Sequence, residues 1–324
     1  MTALASPFKR LASIRHAPWW PWTIAALTTA FVVFIGWLLF NQARAMDWPA
    51  VWEAVKRLPT PVLAMAGALA FTSHGLYSTF DLFGRYYTRH GVSVARTIGT
   101  TLIAYPFTLN LGSILGGATM RYRLYSRQGV PLASIGQVIG QSILINWLGY
   151  SLLAGAVFWL WTPELPDGWN VDPHQLRWVG WAMGAATLAY LVACMRRQGR
   201  PFLVRGHSVP VPSLSVGLGQ VALSATNWMV MGAAVWMLAQ GKAPYVAALA
   251  TVLLGAVAGL ISRIPAGLGV LEAVGVAVLS PYLPAPQALA AILAYRALYF
   301  FAPLALATVA FAIVEWINRK KSKP

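Results

Sequence analysis

Long apolar runs alternate with short polar loops along most of the chain. The run "TIAALTTAFVVFIGWLLF", for example, extends from Thr23 to Phe40, and about 20 apolar residues allow a helix to cross the hydrocarbon core of a bilayer. The pattern predicts six full transmembrane helices, which are Pro21–Phe40, Pro61–Phe80, Ala133–Trp161, Leu176–Met195, Leu214–Ala239 and Gln287–Trp316. We therefore predict an all-α polytopic membrane protein.

Two further apolar stretches are interrupted by glycine or proline near their centres. They are "ARTIGTTLIAYPFTLNLGSILGGATMRYRLYSRQG", before the third span, and "YVAALATVLLGAVAGLISRIPAGLGVLEAVGVAVLSPYLP", before the sixth. Proline removes a backbone donor, and glycine permits conformations that end a helix. We interpret both stretches as re-entrant helical hairpins, which return to the side of the membrane from which they enter.

The charges favour one orientation of this arrangement. Only 10% of the residues are charged, and 24 basic residues outnumber 8 acidic ones, which gives a net charge of +16. With both termini in the cytoplasm, most basic residues fall in cytoplasmic loops, whereas the acidic loop "TPELPDGWNVDP" lies outside. If each broken stretch instead crossed the membrane once, the loops between the two stretches would change sides. We therefore favour the hairpins. The positive-inside rule also explains the charge better than nucleic-acid binding.

The predicted arrangement of spans and hairpins contains an internal repeat. Gly91 and Gly117 of the first broken region align with Gly241 and Gly267 of the second at a constant offset. The two units enter the membrane from opposite sides, which predicts an inverted repeat, and secondary transporters of that design bind substrate where broken helices meet. The predicted parts are a cytoplasmic segment 1–20, a single transmembrane domain 21–316 with repeat units at about 61–161 and 214–316, and a basic cytoplasmic tail 317–324.

Three charged side chains, Glu272, Arg263 and Arg296, fall deep inside predicted membrane segments. Each would cost about 2.5–3.5 kcal/mol at the bilayer centre if it faced lipid, so we expect them to face protein or water. One interpretation is a structural ion pair between Glu272 and either Arg263 or Arg296. The other is a polar cavity, formed by Glu272, Arg296 and Tyr295, that receives a charged headgroup.

The glycine-containing breaks in the two stretches also have two interpretations, phosphate binding and helix packing. A half-helix that begins near Gly117 or Gly267 would direct unpaired N–H groups inward and bind phosphate, but small residues also serve close helix packing. Arg121 and Arg123 follow the first break and are either a phosphate clamp at the cytoplasmic mouth of the cavity or a topology signal attracted to anionic lipid. The candidate phosphate-binding residues are Gly116, Gly117, Arg121, Arg123, Arg263, Gly267 and Gly269.

Enzymatic chemistry has little support in the sequence. The five histidines and the single cysteine, Cys194, lack the spacing of metal ligands, and no hydrolase, metalloprotease or nucleotide-binding motif is present. We therefore predict no catalytic residues, no metal and no cofactor.

Several motifs together resemble one known family. "GGATMRYRLYSRQGV", "NWLGY", "NWMVMG", "IPAGLGVLEAV" and "AYRALYFFAPL" are similar to the YbhN-like inner-membrane proteins, within the broader family named for the transmembrane region of lysylphosphatidylglycerol synthase. The resemblance implies a flippase-like domain of the bacterial inner membrane. In the synthases a soluble aminoacyl-transferase domain follows the membrane part, whereas this chain ends at Pro324 soon after the last span, so no transferase activity is expected.

Three functions are open at this point. The leading one is a flippase or transporter for a phospholipid or another lipid phosphate, whose partners are membrane phospholipids and not nucleic acid. The alternative is a non-transporting membrane subunit that scaffolds or regulates a lipid-synthesising enzyme. An intramembrane lipid-modifying enzyme is the third.

Overall fold

The apolar segments form helices, many of which begin after a proline or a serine and end at a glycine or a polar turn. The computed structural model describes residues 48–161, 173–200, 202–204, 207–209, 211–262, 264 and 267–321. The predicted segment 1–20, the predicted span Pro21–Phe40 and Arg263 lie outside the described residues. The helices are α1 Trp48–Lys56, α2 Thr60–Ser78, α3 Phe80–Thr88, α4 Val94–Leu111, α5 Thr119–Ser126, α6 Leu132–Leu160, α7 Pro173–Arg197, α8 Leu214–Leu238, α9 Tyr245–Ser262, α10 Val270–Leu279, α11 Ala285–Arg296 and α12 Ala302–Lys321. Among the described residues, two π-helical segments accompany them, π1 Ser113–Ala118 and π2 Ala297–Phe301.

Five helical segments of the described chain are long and apolar enough to cross a membrane, which confirms a helical, multi-pass membrane protein. They are Leu132–Leu160, Gln175–Arg197, Leu214–Leu238, Tyr245–Ser262 and Ala285–Ile317. Four correspond to predicted spans, and the fifth, α9, is a limb of the second predicted hairpin. The predicted span Pro61–Phe80 forms a helix, α2, but it is not among the five, since polar residues such as Ser73 and His74 interrupt its apolar run.

The first broken stretch folds back on itself. Gly112 takes φ 83° at the end of α4, and π1 and α5 follow. A Cβ atom on Gly116 would overlap the carbonyl oxygen of Phe107, so the returning chain lies directly against α4. At the far end of the two limbs, Gln128 Nε2 donates to Thr100 Oγ1 at 3.0 Å.

The second broken stretch also forms a helical hairpin. Gly267 (φ 56°) and Gly269 (φ 77°) adopt the left-handed conformation that glycine tolerates best, and α10 begins directly afterwards. A Cβ atom on Gly255 would lie 2.5 Å from Leu271 Cδ1 of α10. One on Gly275 would lie 3.5 Å from Thr251 of α9, so α10 runs antiparallel along α9.

Small residues bring the central helices together, whereas the periphery is apolar. A Cβ atom on Gly149 of α6 would overlap the backbone of Ser224 and Ala225 in α8, a close approach typical of membrane helices. On the outside of α7, Trp178 and Leu188 are exposed. This distribution suits a protein whose surrounding solvent is lipid.

The last helical segment contains a π segment. α11, π2 and α12 follow one another without a break, and the predicted span Gln287–Trp316 lies within them. Because a π segment shifts the backbone hydrogen-bond pattern, it leaves carbonyl groups available to other donors. Asn110 Nδ2 donates to the carbonyl of Phe300 at 3.1 Å and to that of Pro106 at 2.9 Å, which joins the first hairpin to π2.

One small sheet departs from the all-helical prediction. The strands β1 Phe202–Val204 and β2 His207–Val209 pair antiparallel between α7 and α8. Each strand has three residues, so the sheet does not change the fold class.

Candidate functional site

A fully buried carboxylate, Asp81 in the first turn of α3, organises one side of the helix core. Arg121 Nε lies 3.0 Å from Asp81 Oδ2, and Arg121 Nη2 lies 3.2 Å from Oδ1. The hydroxyl of Tyr125 donates to Oδ2 at 3.0 Å, and that of Ser142 donates to Oδ1. Both carboxylate oxygens are therefore satisfied, as a buried charge requires.

Arg121, a candidate for the phosphate clamp, lies inside the helix core. Only 3% of its surface is exposed, because its guanidinium group is the counter-ion of Asp81. Arg123 is more exposed and pairs through Nε with Glu315 Oε1 at 2.9 Å, and Arg127 reaches the same oxygen at 2.6 Å. These two arginines thus connect α5 to the end of α12.

A second ion pair, between the buried Arg296 and the partly buried Glu272, lies at the second break. Arg296 Nη2 lies 3.0 Å from Glu272 Oε2, and Nε donates to Oε1. The same Nη2 donates to the carbonyl of Gly267 at 2.6 Å, so the guanidinium group also satisfies a backbone group of the break. The sequence left Arg263 and Arg296 as possible ion-pair partners of Glu272, and in the structure the partner is Arg296. Glu272 lies in the first turn of α10, where the helix dipole favours a negative charge.

Aromatic side chains connect the two ion pairs. Tyr295, next to Arg296 in sequence, stacks on Tyr299 with ring centroids 5.1 Å apart. The hydroxyl groups of Tyr299 and Tyr105 lie 3.1 Å apart, and the ring of Tyr105 stacks on that of Tyr77 at 3.5 Å. The guanidinium carbon of Arg121 lies 5.9 Å from the Tyr77 ring centroid. We call this group of side chains the central polar track, and its members are Glu272, Arg296, Tyr295, Tyr299, Tyr105, Tyr77, Arg121 and Asp81.

Polar residues of α2 and α8 join the middle of the central polar track. Ser73 Oγ lies 2.7 Å from the hydroxyl of Tyr299 and donates to Asn227 Oδ1 at 2.7 Å. The imidazole of His74 packs against the rings of Tyr105 and Tyr299. All of these side chains are buried, so the helices enclose an internal polar layer.

The structure brings together only part of the predicted site. Gly267, Glu272, Tyr295 and Arg296 lie around the second break, with Gly269 at the start of α10. Around the first break, the N–H groups of Gly116 and Gly117 donate to the carbonyl of Gly112, at 3.0 and 3.2 Å, and a Cβ atom on Gly117 would overlap the side chain of Thr108 in α4. Sequence reasoning missed several members of the polar layer, namely Ser73, His74, Tyr77, Tyr105, Asn227 and Tyr299. The adjacent Ser73 and His74 within an apolar helix were the available signal.

A cavity of about 530 Å³ lies apart from the central polar track. It is formed where α1 approaches the α8–α9 turn and the start of α11, and its lining includes Arg57, Lys242 and Gln287. Lys242 Nζ donates to Gln287 Oε1 at 3.1 Å. Three segments that are assigned to the outer side by sequence therefore meet at one end of the protein.

Comparisons with known proteins agree with this architecture. The family model described as lysylphosphatidylglycerol synthase TM region matches residues 22–307. The chain is 38% identical over 299 residues to "Inner membrane protein YbhN" of Escherichia coli, which covers 92% of this chain and 94% of that protein. It is 26% identical over 296 residues to "Uncharacterized protein slr0712" of Synechocystis, with 90% and 91% coverage. The chain therefore belongs to the family of the lysylphosphatidylglycerol synthase transmembrane region.

Proposed function

We propose that this protein moves a phosphate-bearing lipid between the leaflets of the bacterial inner membrane. The observation that carries the proposal is the central polar track, which holds one fully buried and one largely buried ion pair inside a bundle with an apolar exterior. Ionisable groups at membrane depth are costly, and they commonly mark the path of a substrate or an ion. Transport needs no transferase chemistry, in keeping with a match to the membrane region of the synthases.

The second break supplies the chemistry of headgroup binding. In the unloaded protein Glu272 neutralises Arg296. A lipid phosphate replaces the carboxylate at the guanidinium group, helped by the N–H groups of the first turn of α10 beside Gly269. Glu272 then becomes available to a headgroup amine or to a proton. Arg121 and Arg123, with Gly116 and Gly117, are the corresponding candidates in the half of the protein that we assign to the cytoplasmic side.

The membrane placement that we propose has two re-entrant hairpins, an inverted repeat and cytoplasmic termini. Two contacts support it. Arg123 of α5 reaches Glu315 near the end of α12, and both positions are cytoplasmic if the first broken stretch is a hairpin. Lys242 reaches Gln287, and both are external in the same arrangement. If each broken stretch crossed the membrane once, each contact would join residues from opposite sides.

Cysteine labelling tests this placement. We expect Ser126→Cys to react only from the cytoplasmic side and Ser280→Cys only from the external side, each in a Cys194→Ala background. Both serines are exposed, and Cys194 is buried. The measurement is blocking by a membrane-impermeant maleimide in oriented vesicles. Labelling of both positions from the same side would overturn the hairpins, because single crossings place Ser126 and Ser280 together.

Reconstitution tests transport. Vesicles of phosphatidylethanolamine and phosphatidylglycerol, with a trace of fluorescent phosphatidylglycerol, are treated with a quencher that reaches only the outer leaflet. We expect the fluorescence of the inner leaflet, which the quencher does not reach, to be lost faster in protein-containing vesicles than in protein-free vesicles. The control is Glu53→Gln, which changes an exposed carboxylate outside the track and should behave as the wild type. Folded protein that moves no lipid would overturn the transport function and favour the scaffold alternative.

A further inference from the structure

The one histidine of α2, His74, has an unused acceptor nitrogen in the middle of the protein. Its Nδ1 lies 2.9 Å from the carbonyl oxygen of Ala70, so in the neutral ring Nδ1 carries the hydrogen and Nε2 has the free lone pair. Nε2 has no hydrogen-bond partner among the described residues, and the side chain is buried, with 5% of the residue exposed. This nitrogen is a place where a proton can bind.

Aromatic rings surround His74 on two sides. The imidazole centroid lies 5.0 Å from that of Tyr105 and 4.8 Å from that of Tyr299. A cation within about 6 Å of an aromatic ring centroid is attracted when it lies over the face, and the attraction is greater where water is excluded. The two rings can therefore offset part of the cost of a buried imidazolium.

The elements packed against α2 present few ionisable groups to His74. They are α3, α4, α8 and π2. α8 has no ionisable side chain and contributes Asn227, π2 contributes only Tyr299, and α4 contributes Tyr105, with Arg96 at its distant first turn. In α3, Asp81 is held by Arg121, and Arg85 donates to the carbonyl of Val92. The charges nearest along the track are therefore those of the two ion pairs.

We propose that His74 is a proton-binding site coupled to the headgroup site, so that a proton and a lipid phosphate bind together and the proton gradient drives transport. This proposal rests on the transport function above. Histidine is suited to the role because its ordinary charge change falls near physiological pH.

Charge balance gives the physical reason for the coupling. The central polar track contains two carboxylates and two guanidinium groups, so it is neutral without ligand. A proton on His74 Nε2 adds one uncompensated positive charge inside the protein, which is costly. A phosphodiester headgroup brings one negative charge and restores neutrality. By reciprocity, lipid binding favours protonation as much as protonation favours lipid binding.

The test measures lipid binding and proton binding separately. Purified protein is titrated with short-chain phosphatidylglycerol between about pH 5 and pH 8, and the His74 imidazole is followed by nitrogen NMR of histidine-labelled protein. We expect wild-type affinity to weaken by up to about tenfold per pH unit on raising the pH, the limit for one linked proton. His74→Asn, which keeps a donor for the Ala70 carbonyl, should bind with a pH-independent affinity.

Matched controls make each outcome decisive. His90→Asn changes another buried histidine, outside the track, and should retain the wild-type pH dependence. Lipid binding or transport that is the same at every pH, or a His74 that stays neutral with lipid bound, overturns the coupling but leaves the transport function standing. A protein that binds lipid in a pH-dependent manner without moving it supports the proton-linked site and overturns transport. Equally tight binding of inorganic phosphate overturns the assignment to a lipid.

Discussion

Asp81→Asn should lower the free energy of unfolding by about 3–5 kcal/mol, the usual result of removing one partner of a buried ion pair. The change leaves the guanidinium group of Arg121 charged and without a counter-ion where only 3% of the residue is exposed. Tyr125 and Ser142 lose a charged acceptor at the same time. The measurement is denaturant-induced unfolding of purified protein in mixed micelles, followed by tryptophan fluorescence.

Two further variants distinguish the loss of charge balance from general damage. Asp81→Asn combined with Arg121→Met should recover most of the stability, because replacing both members of a buried pair is often neutral. Glu53→Gln removes a carboxylate that pairs with Lys56, and the two side chains are 55% and 54% exposed, respectively. Because exposed ion pairs contribute little to stability, this change should leave the unfolding midpoint unchanged. If Asp81→Asn is as stable as Glu53→Gln, the buried pair does not stabilise the fold.

Arg296→Met should have a comparable effect, about 3–5 kcal/mol, at the second break. It leaves Glu272 without its guanidinium partner and removes the donor to the Gly267 carbonyl at 2.6 Å. The hairpin of α9 and α10 should therefore open first, and unfolding in mixed micelles should begin at lower denaturant concentration. Arg57→Met, at an exposed position, is the control.

The double variant Arg296→Met with Glu272→Leu separates stability from function. Neutralising both partners should restore folding, as at Asp81 and Arg121, but it removes the groups that exchange carboxylate for phosphate. We expect a folded protein that no longer moves lipid in the vesicle assay. A double variant with full transport would show that the pair serves only to hold α10 against α11.

The pairing of charges at the second break was largely predictable, because the sequence offers few residues that could pair there. A chain with 8 acidic residues has few possible partners for a deep arginine, and the cost of a charge facing lipid requires a pairing. The glycines at 267 and 269 indicated a break, and both have positive φ in the structure. Local sequence and general energetics limited the partner of Glu272 to Arg263 or Arg296, and the structure shows the pair with Arg296.

The first break was less predictable because its partners are remote in sequence. Arg121 lies in "MRYRLYSRQG", a segment that resembles a surface loop, and its counter-ion is 40 residues earlier. Tyr105 and Tyr299 are 194 residues apart, and neither stands out in its own helix. Hydropathy describes each segment alone, whereas the polar layer arises only when segments pack together.

Both ion pairs join residues that leave the ribosome at different times. Asp81 is made 40 residues before Arg121, and Glu272 is made 24 residues before Arg296. Until the arginine arrives, a carboxylate released into lipid would cost about 2.5–3.5 kcal/mol at full depth. Each carboxylate-bearing helix should therefore stay in contact with the insertion machinery, or with water, until its arginine is delivered. We therefore expect the chain to insert in pairs of segments, each pair joined by a carboxylate and the arginine that follows it.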